Sequence, residues 1–148
     1  MVYMKIKIIN GLFVILLLLF LPACSFVKEK NQATKFVDDF YSKLKNGEYE
    51  STLDMYHEKW FTVTSKNETT DFLRKIDSKL GKLDEYSVTT WNTESYVGTG
   101  GSGIYVTILY SVNRTKYHSD ETLTLFKPKG EERYYILSYH VNSNGLFE

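Results

Sequence analysis

Apolar residues recur with a helical period in the stretch that follows residue 31. They lie three, four, seven, eight and eleven residues after the first of them, which places them along one face of a helix. The members of this stripe are Ala33, Phe36, Val37, Phe40, Tyr41 and Leu44. Asn46-Gly47 is expected to end the helix, because glycine readily adopts the left-handed conformation found at helix C-termini.

Two further helices and a short strand are predicted before the pattern changes. A short helix is expected over 48–57, and the β-branched and aromatic residues of 60–64 predict a short strand. Ser65 and Glu68 have the spacing of a capping box, which indicates that a third helix begins there. Gly81 is expected to end that helix.

Beyond this point the apolar period shortens from 3.6 residues to two, which predicts β-strands. The predicted strands are 84–97, 103–114, 117–127 and 133–142. The glycine-rich segment 98–103 is interpreted as a hairpin loop, because a phosphate-binding loop of this kind opens a helix and here strand-like sequence follows. A second turn is expected over 127–130, where Pro and Gly occupy turn-favoured positions.

The alternation divides the strand residues between two faces of the sheet. The face expected to contact the helices carries Ile104, Val106, Ile108, Tyr110, Val112, Leu123, Leu125, Tyr135, Leu137, Tyr139 and Val141. The other face carries Tyr105, Leu109, Thr124, Phe126, Tyr134 and Ile136. An antiparallel sheet with one solvated face is usually polar on that side. This semi-apolar outer face therefore predicts contact with a partner, either another protein or a second copy of the chain.

The N-terminus has the order of a secretory signal peptide. Lys5 and Lys7 form a short basic region, and an unbroken apolar run follows over 12–21. A transmembrane helix needs about 20 apolar residues, and this run is half as long. A cleaved signal is therefore a better interpretation than a retained membrane span.

The segment Leu21-Pro22-Ala23-Cys24 resembles the lipobox of bacterial lipoproteins. In that family the cysteine thiol receives a diacylglyceryl group, and a dedicated peptidase cuts just before the cysteine. The resemblance implies cleavage between Ala23 and Cys24 and lipidation of Cys24, with Pro22 in place of the usual alanine or serine. Cys24 is also the single cysteine of the chain, which excludes a disulfide within it.

Lipidation would divide the chain into a signal peptide over 1–23, a polar tether over 24–31 and a globular domain over 32–148. Two or more acyl chains together give stable membrane anchoring. Ser25 stands where the family's inner-membrane retention signal is an aspartate. The resemblance thus implies the periplasmic face of the outer membrane in a bacterium with two membranes, and otherwise the outer face of the plasma membrane.

The charge of the chain bears on its partners. The full sequence has 18 basic and 18 acidic residues, and loss of Lys5 and Lys7 with the signal leaves the remainder slightly acidic. A nucleic-acid-binding protein needs a basic patch that neutralises phosphates. No nucleic-acid partner is therefore expected.

The order of the predicted elements is similar to that of the nuclear transport factor 2-like superfamily. The residues that carry the resemblance are the Phe36, Phe40, Tyr41, Leu44, Gly47, Glu48, Tyr49 opening and the Phe72, Ile76, Leu80, Gly81 helix. It implies an α+β fold in which N-terminal helices pack on a curved four- to five-stranded antiparallel sheet that encloses a cone. A cystatin-like single-helix fold and a generic α+β domain are the alternatives. Related proteins use the cone for isomerase or dehydratase chemistry, for binding small ligands, or only as a packed core.

Two groups of polar residues are candidates for chemistry. Asp54 and His57 are three residues apart on the second predicted helix, so the carboxylate could orient the imidazole as a general base. His118, Asp120 and His140 could approach one another on the outer sheet face and bind zinc. Neither group has the spacing of an established motif. Exposed polar residues are the better interpretation, and no catalytic residue, metal or cofactor is expected.

Aromatic residues are frequent, with 12 Tyr, 9 Phe and 2 Trp. Most suit a pleated, half-buried sheet surface. Four are candidates to line a pocket, because a ring with a polar tip can contact a ligand while it packs. They are Tyr56, Trp60, Trp91 and Tyr110.

These observations favour a membrane-anchored bacterial envelope lipoprotein that acts as a non-catalytic protein- or small-ligand-binding module. One alternative is a small isomerase- or dehydratase-like enzyme with an acid or base in the cone. Another is a phage or plasmid exclusion lipoprotein, which no residue supports or excludes.

Overall fold

The computed structural model describes residues 21–98 and 101–148. It is an α+β fold with helices packed on a curved, open, four-stranded antiparallel sheet. The α-helices are α1 (Leu21–Asn46) and α2 (Lys66–Leu80); the strands are β1 (Leu83–Gly98), β2 (Gly101–Arg114), β3 (His118–Pro128) and β4 (Tyr135–Asn142). Short 3-10 helices span Glu50–Met55, Glu58–Thr62 and Asn144–Leu146. Residues 1–20, which include most of the expected signal peptide, lie outside the described residues.

The amphipathic stripe predicted for the first helix is confirmed. Its residues face the sheet and all except the partly buried Phe36 are buried, and the helix ends before Gly47, which has a φ of 76°. The helix is longer at its start than the stripe indicates. It begins at Leu21 and includes 24–31, the segment expected to be a tether. The stripe does not show this extension because the next core-facing position, Glu29, is charged.

The strand predicted over 60–64 is wrong. Most of it belongs to the 3-10 helix Glu58–Thr62, in which the Trp60 N–H bonds to the His57 carbonyl at 2.9 Å. The chain meets the sheet slightly earlier, where Tyr56 forms a parallel bridge with Ile136. Trp60 then turns inward, and its indole N–H donates to Thr69 Oγ1 at 2.8 Å. That contact to α2 overrides the local β-propensity of the segment.

The start and end of α2 are as predicted. Ser65 Oγ accepts from the Glu68 N–H, and the Glu68 carboxylate accepts from the Ser65 N–H, which completes the capping box. Gly81 follows the last turn with a φ of 85°.

The strands follow one another in the order β1-β2-β3-β4, so each pairs with its neighbour in sequence. The predicted hairpin between the first two strands is confirmed, and pairing continues as far as Gly98 and Gly101. The predicted turn at 127–130 joins β3 to the last strand. We call the end of the sheet that holds this hairpin and this turn the hairpin end. The opposite end, where β1 and β3 begin, is the far end.

A bulge in β4 overturns part of the predicted face assignment. Thr124 pairs with Ser138 but Leu125 pairs with Ile136, so Leu137 is an extra residue in this strand. Upstream of the bulge the alternation is reversed. Tyr134 and Ile136, predicted to lie on the outer face, are buried in the core, while Tyr135 and Leu137, predicted to face the helices, are only partly buried. Tyr139 and Val141, beyond the bulge, are buried as predicted.

Helix α1 crosses the inner face of the sheet diagonally. Near its C-terminus, Lys45 Nζ donates to the Asp84 carbonyl at 2.9 Å at the far end. Near its N-terminus, Glu29 contacts Lys127 and Tyr134 beside the turn at the hairpin end. The helix therefore begins at the hairpin end of the domain. Within the described residues, neither α-helix is both long enough and apolar enough to span a bilayer.

Candidate functional site

An ion pair lies inside the core near the far end of the sheet. Arg114 ends β2, Glu121 lies on β3, and both side chains are fully buried. The guanidinium Nε and Nη2 lie 3.0 and 2.9 Å from Glu121 Oε1. Both residues continue the inward-facing alternation of their strands, Arg114 two residues after Val112 and Glu121 two residues before Leu123.

The Glu121 carboxylate also accepts three hydroxyl hydrogen bonds. Ser119 Oγ donates to Oε1 at 2.8 Å, while the hydroxyls of Tyr41 and Tyr139 donate to Oε2 at 3.1 and 2.5 Å. Burial, and then the nearby negative charge of Glu121, raise the pKa of both tyrosines well above the usual value. The two hydroxyls therefore stay protonated and act as donors.

Arg114 extends the network to a second carboxylate on α2. Its Nη1 lies 2.9 Å from Asp77 Oδ1, and Asp77 Oδ2 accepts from Tyr49 at 2.5 Å and from Lys82 at 2.8 Å. Burial disfavours the charged guanidinium, but Glu121 and Asp77 outweigh that effect and raise the pKa of Arg114. The network therefore runs from the buried ion pair to the mostly exposed Lys82 side chain.

This ionic cluster joins both α-helices to β2, β3 and β4. Each oxygen of Glu121 is already engaged by donors of the protein itself. A general base needs a free lone pair within hydrogen-bonding reach of the substrate proton. The geometry of Glu121 therefore suits a structural ion pair that holds the elements in one arrangement.

A second ion pair fixes the start of α1 at the hairpin end. Lys127 Nζ lies 2.5 Å from Glu29 Oε2, the Tyr134 hydroxyl donates to the same oxygen, and the ammonium lies 5.2 Å from the centre of the Tyr134 ring. Burial acts to raise the pKa of Glu29, but the hydrogen bonds from Lys127 and Tyr134 outweigh it and lower that pKa. The ionised carboxylate is therefore the bound form.

Aromatic rings form a continuous row across the outer face of the sheet. Tyr96, Tyr105 and Phe126 lie on successive strands, with ring centres 6.0 and 4.8 Å apart. The His57 ring follows, 5.6 Å from Phe126 and 5.7 Å from Tyr135. We call these five residues the aromatic row. Phe126 is buried beneath its neighbours, while the other four rings remain partly or largely exposed.

The aromatic row depends on one glycine. A Cβ at Gly103 would lie 2.3 Å from the Lys127 carbonyl oxygen and 2.5 Å from the Phe126 ring. Only a residue without a side chain therefore lets Phe126 fold against the backbone of β2.

The proposed Asp54–His57 pair does not form. Asp54 pairs with Arg133 at 3.2 Å, and His57 Nδ1 accepts from the Lys59 N–H at 3.2 Å while its ring joins the aromatic row. The imidazole is therefore positioned by aromatic packing and a local backbone contact.

The histidines of the sheet are exposed on the outer face. His118 Nε2 lies 3.5 Å from Asp120 Oδ1, and His118 Nδ1 is 3.1 Å from Asn113 Oδ1. His140 of β4 lies opposite Thr122 of β3, which is two residues along the strand from Asp120. In the described ranges, no three His, Cys, Asp or Glu side chains are arranged to hold a metal ion.

The four aromatic pocket candidates occupy separate places. Tyr56 is buried, with its ring centre 4.9 Å from that of Trp60 and its hydroxyl without a hydrogen-bond partner among the described residues. Tyr110 is buried against Tyr41, 5.4 Å between ring centres. Trp91 lies opposite Ile108 on the inner side of β1 and is 38% exposed. The structure thus brings Tyr56 and Trp60 together and keeps Tyr110 and Trp91 apart from them.

A hollow with a volume of about 510 Å³ lies at the hairpin end. It is an open groove between the tip of the β1–β2 hairpin and the β3–β4 turn. Tyr96, Val97, Ile104, Lys127 and Glu132 are among the residues that line it. None of the four pocket candidates contributes to it.

Sequence reasoning missed Arg114 and Glu121, although a signal for both was present. Each charged residue occupies a position at which the two-residue alternation requires a core side chain. A buried cation and a buried anion on neighbouring strands would have suggested a pair, since unpaired charges are almost never buried.

Comparisons with protein-family models, with curated proteins and with solved structures gave no match to this chain.

The buried ion pair gives a stability prediction. Replacing Arg114 by methionine should lower the free energy of unfolding by about 3–5 kcal/mol, because it leaves Glu121 charged and uncompensated in the core. Urea denaturation measures the change. The control is Lys43→Met, which removes an ion pair with the exposed Asp39 one turn earlier on α1 and should cost less than about 1 kcal/mol. Equal effects for the two variants would contradict a structural role for the buried pair.

The pair at Glu29 gives a pH prediction. Because the pKa of Glu29 is lowered in the folded protein, its stabilising effect is present above the ordinary value of 4.5 and is lost as the pH falls through the lowered pKa. The protection factors of the amides at the start of α1, which correct for the slowing of intrinsic exchange in acid, should therefore fall below about pH 4.5.

Glu29→Gln should remove that pH dependence, because the amide does not titrate. If the parent and Glu29→Gln proteins show the same acid profile at the start of α1, the pair does not hold the helix in place.

Proposed function

We propose that this protein is a lipid-anchored bacterial envelope protein that acts as a non-catalytic binding module. The proposal has two parts, an anchor at Cys24 and a binding surface on the outer face of the sheet. The supporting observation for the anchor is the lipobox-like segment 21–24 directly after an apolar run. For binding, the supporting observation is the aromatic row.

The aromatic row has the composition of a protein-binding surface. Tyrosine and phenylalanine are enriched at protein interfaces, where their rings bury large areas at a small cost in side-chain entropy. Leu109 and Leu137 are partly exposed on the same face. The partner would be another envelope protein or a second copy of this chain.

The buried groups favour binding over catalysis. In the alternative enzyme, an acid or base in the cone would contact the substrate. Glu121 is the acidic residue at that place, but Arg114, Ser119, Tyr41 and Tyr139 occupy both of its oxygens. A substrate would have to displace these donors before any proton transfer.

We propose in addition that the domain is a variant of the cone-shaped nuclear transport factor 2-like fold. The order of the helices before a four-stranded antiparallel meander supports this assignment. In this proposal aromatic side chains and ion pairs fill the space between the helices and the sheet, and the outer face is the binding surface.

The anchor is tested by changing the cysteine. Cys24→Ser should abolish labelling by radioactive fatty acid and leave an uncleaved precursor, because the thiol that accepts the diacylglyceryl group is absent. Ser25→Ala, at the neighbouring position, is the matched control and should be labelled and processed as the parent. Normal maturation and labelling of Cys24→Ser would contradict the lipid anchor.

The binding surface is tested by photo-crosslinking in intact cells. Benzoylphenylalanine in place of Tyr105 should form a heavier species on irradiation, because position 105 lies in the middle of the aromatic row. The same residue in place of Tyr117, a partly buried tyrosine at the far end, should not. A product of twice the mass of the chain indicates a second copy, and other masses indicate a different protein. Absence of any product specific to position 105 would contradict binding through this face.

A further inference from the structure

Large apolar side chains are exposed at the hairpin end of the domain. Val97 is 84% exposed, and Tyr96 beside it is 44% exposed. On the first described turns of α1, Phe26 and Val27 are 40% and 48% exposed. These four residues make up most of the large exposed hydrophobic residues in the described parts of the chain, and they come from two segments that are far apart in sequence.

The contacts of Glu29 place both segments at the same end of the molecule. Glu29 is held by Lys127 and Tyr134, and Lys127 pairs with Ile104 on β2. The hairpin then continues beyond Ile104 to the pair formed by Val97 and Ser102. The turn reaches the level of this pair, since the Lys129 N–H bonds to the Ser102 carbonyl, so the helix, the turn and the hairpin meet at one end of the molecule.

The proposed lipid attachment point, Cys24, lies at the same end of the molecule as these exposed residues. Cys24 precedes Glu29 by five residues in the same helix, which is about 7–8 Å at the rise of an α-helix. Val97 lies two residues beyond Ser95, the partner of Ile104, which is about 6–7 Å along a strand. The anchor and the exposed apolar residues of the hairpin therefore lie at the same end of the domain.

The charges at this end are mixed. Lys28 and Lys129 are exposed, and the Lys129 N–H bonds to the Ser102 carbonyl at 2.8 Å, which fastens the turn to the hairpin. Glu131 and Glu132 are exposed at the same turn. Because these charges are of both signs, the exposed apolar side chains provide most of the attraction between this surface and a lipid headgroup layer, and the two lysines add to it.

We propose that the hairpin end rests on the bilayer, with Tyr96 and Val97 of the hairpin and Phe26 and Val27 of α1 in the headgroup region. This inference depends on the proposed anchor at Cys24, which brings the surface to the membrane and keeps it there. It adds a second point of contact, so the domain has a fixed orientation and the far end points away from the lipid.

The test uses the full-length lipidated protein in vesicles of phosphatidylethanolamine and phosphatidylglycerol. Because Cys24 carries lipid, a substituted cysteine is the only free thiol and can be labelled with an environment-sensitive nitrobenzoxadiazole dye. Val97→Cys places the dye at the hairpin end. Phe147→Cys places it at the far end, where Phe147 is 87% exposed and the neighbouring Gly145 packs against Tyr117. The two exposures are matched, so each substitution should leave the fold intact.

The dye at position 97 should show blue-shifted emission and lose intensity to lipids that carry a shallow nitroxide quencher. The dye at position 147 should show neither effect. Equal emission and quenching at the two positions in lipidated, vesicle-bound protein would overturn the inference and leave the anchor intact. A dye at position 97 that is shielded in cells but not in pure vesicles would also overturn it, and would indicate that a protein covers the hairpin end.

Failure of the anchor has a separate readout. Protein that takes up no labelled fatty acid and does not associate with vesicles would contradict the proposed function itself, whatever the dye at position 97 reports.

Discussion

The pairing of Glu121 with Arg114 is the interaction on which the arrangement of the other elements depends. Two opposite charges are removed from water at this point, and each costs several kcal/mol unless its partner and further donors are in place. Tyr41 of α1 and Tyr139 of β4 donate to Glu121, and Asp77 of α2 accepts from Arg114. Any shift of one of these elements would leave a buried charge without its hydrogen bonds, so the ion pair selects one packing of helices on the sheet.

Helix α1 is attached to the sheet at both ends of the domain, so its position relative to the strands is fixed along its length. It is held near the far end by Lys45 and Tyr41 and at the hairpin end by Glu29. The same helix would carry the proposed lipid at Cys24, so the membrane attachment point is joined to the domain by a helix that is itself fixed to the sheet. In this proposal Tyr96 is the member of the aromatic row that meets the membrane, and the rest of the outer face is left free of both the helices and the membrane.

Much of the fold could be predicted because its signals are local. The stripe on α1, the capping box at Ser65 and the glycines at 47 and 81 depend on residues within a few positions of one another. The predictions failed where a contact from a distant segment decided the structure. Trp60 turns toward α2 and converts a predicted strand into a 3-10 turn, and the bulge at Leu137 reverses the two faces at the start of β4. A pattern of apolar residues contains no information about an extra residue in one strand.

The sequence by itself determined the periods of most helices and strands, the hairpins, the lipobox-like segment and the outer-face positions of β2 and β3, because each depends on the order of neighbouring residues. Only the tertiary structure decided which charges meet. Arg114 and Glu121 are close in sequence, but Tyr41 and Asp77, which contact them, are far from them along the chain. Glu29 likewise contacts Lys127, at the other end of the molecule. Such contacts exist only after the helices lie on the sheet, since their energy depends on burial that no single segment provides.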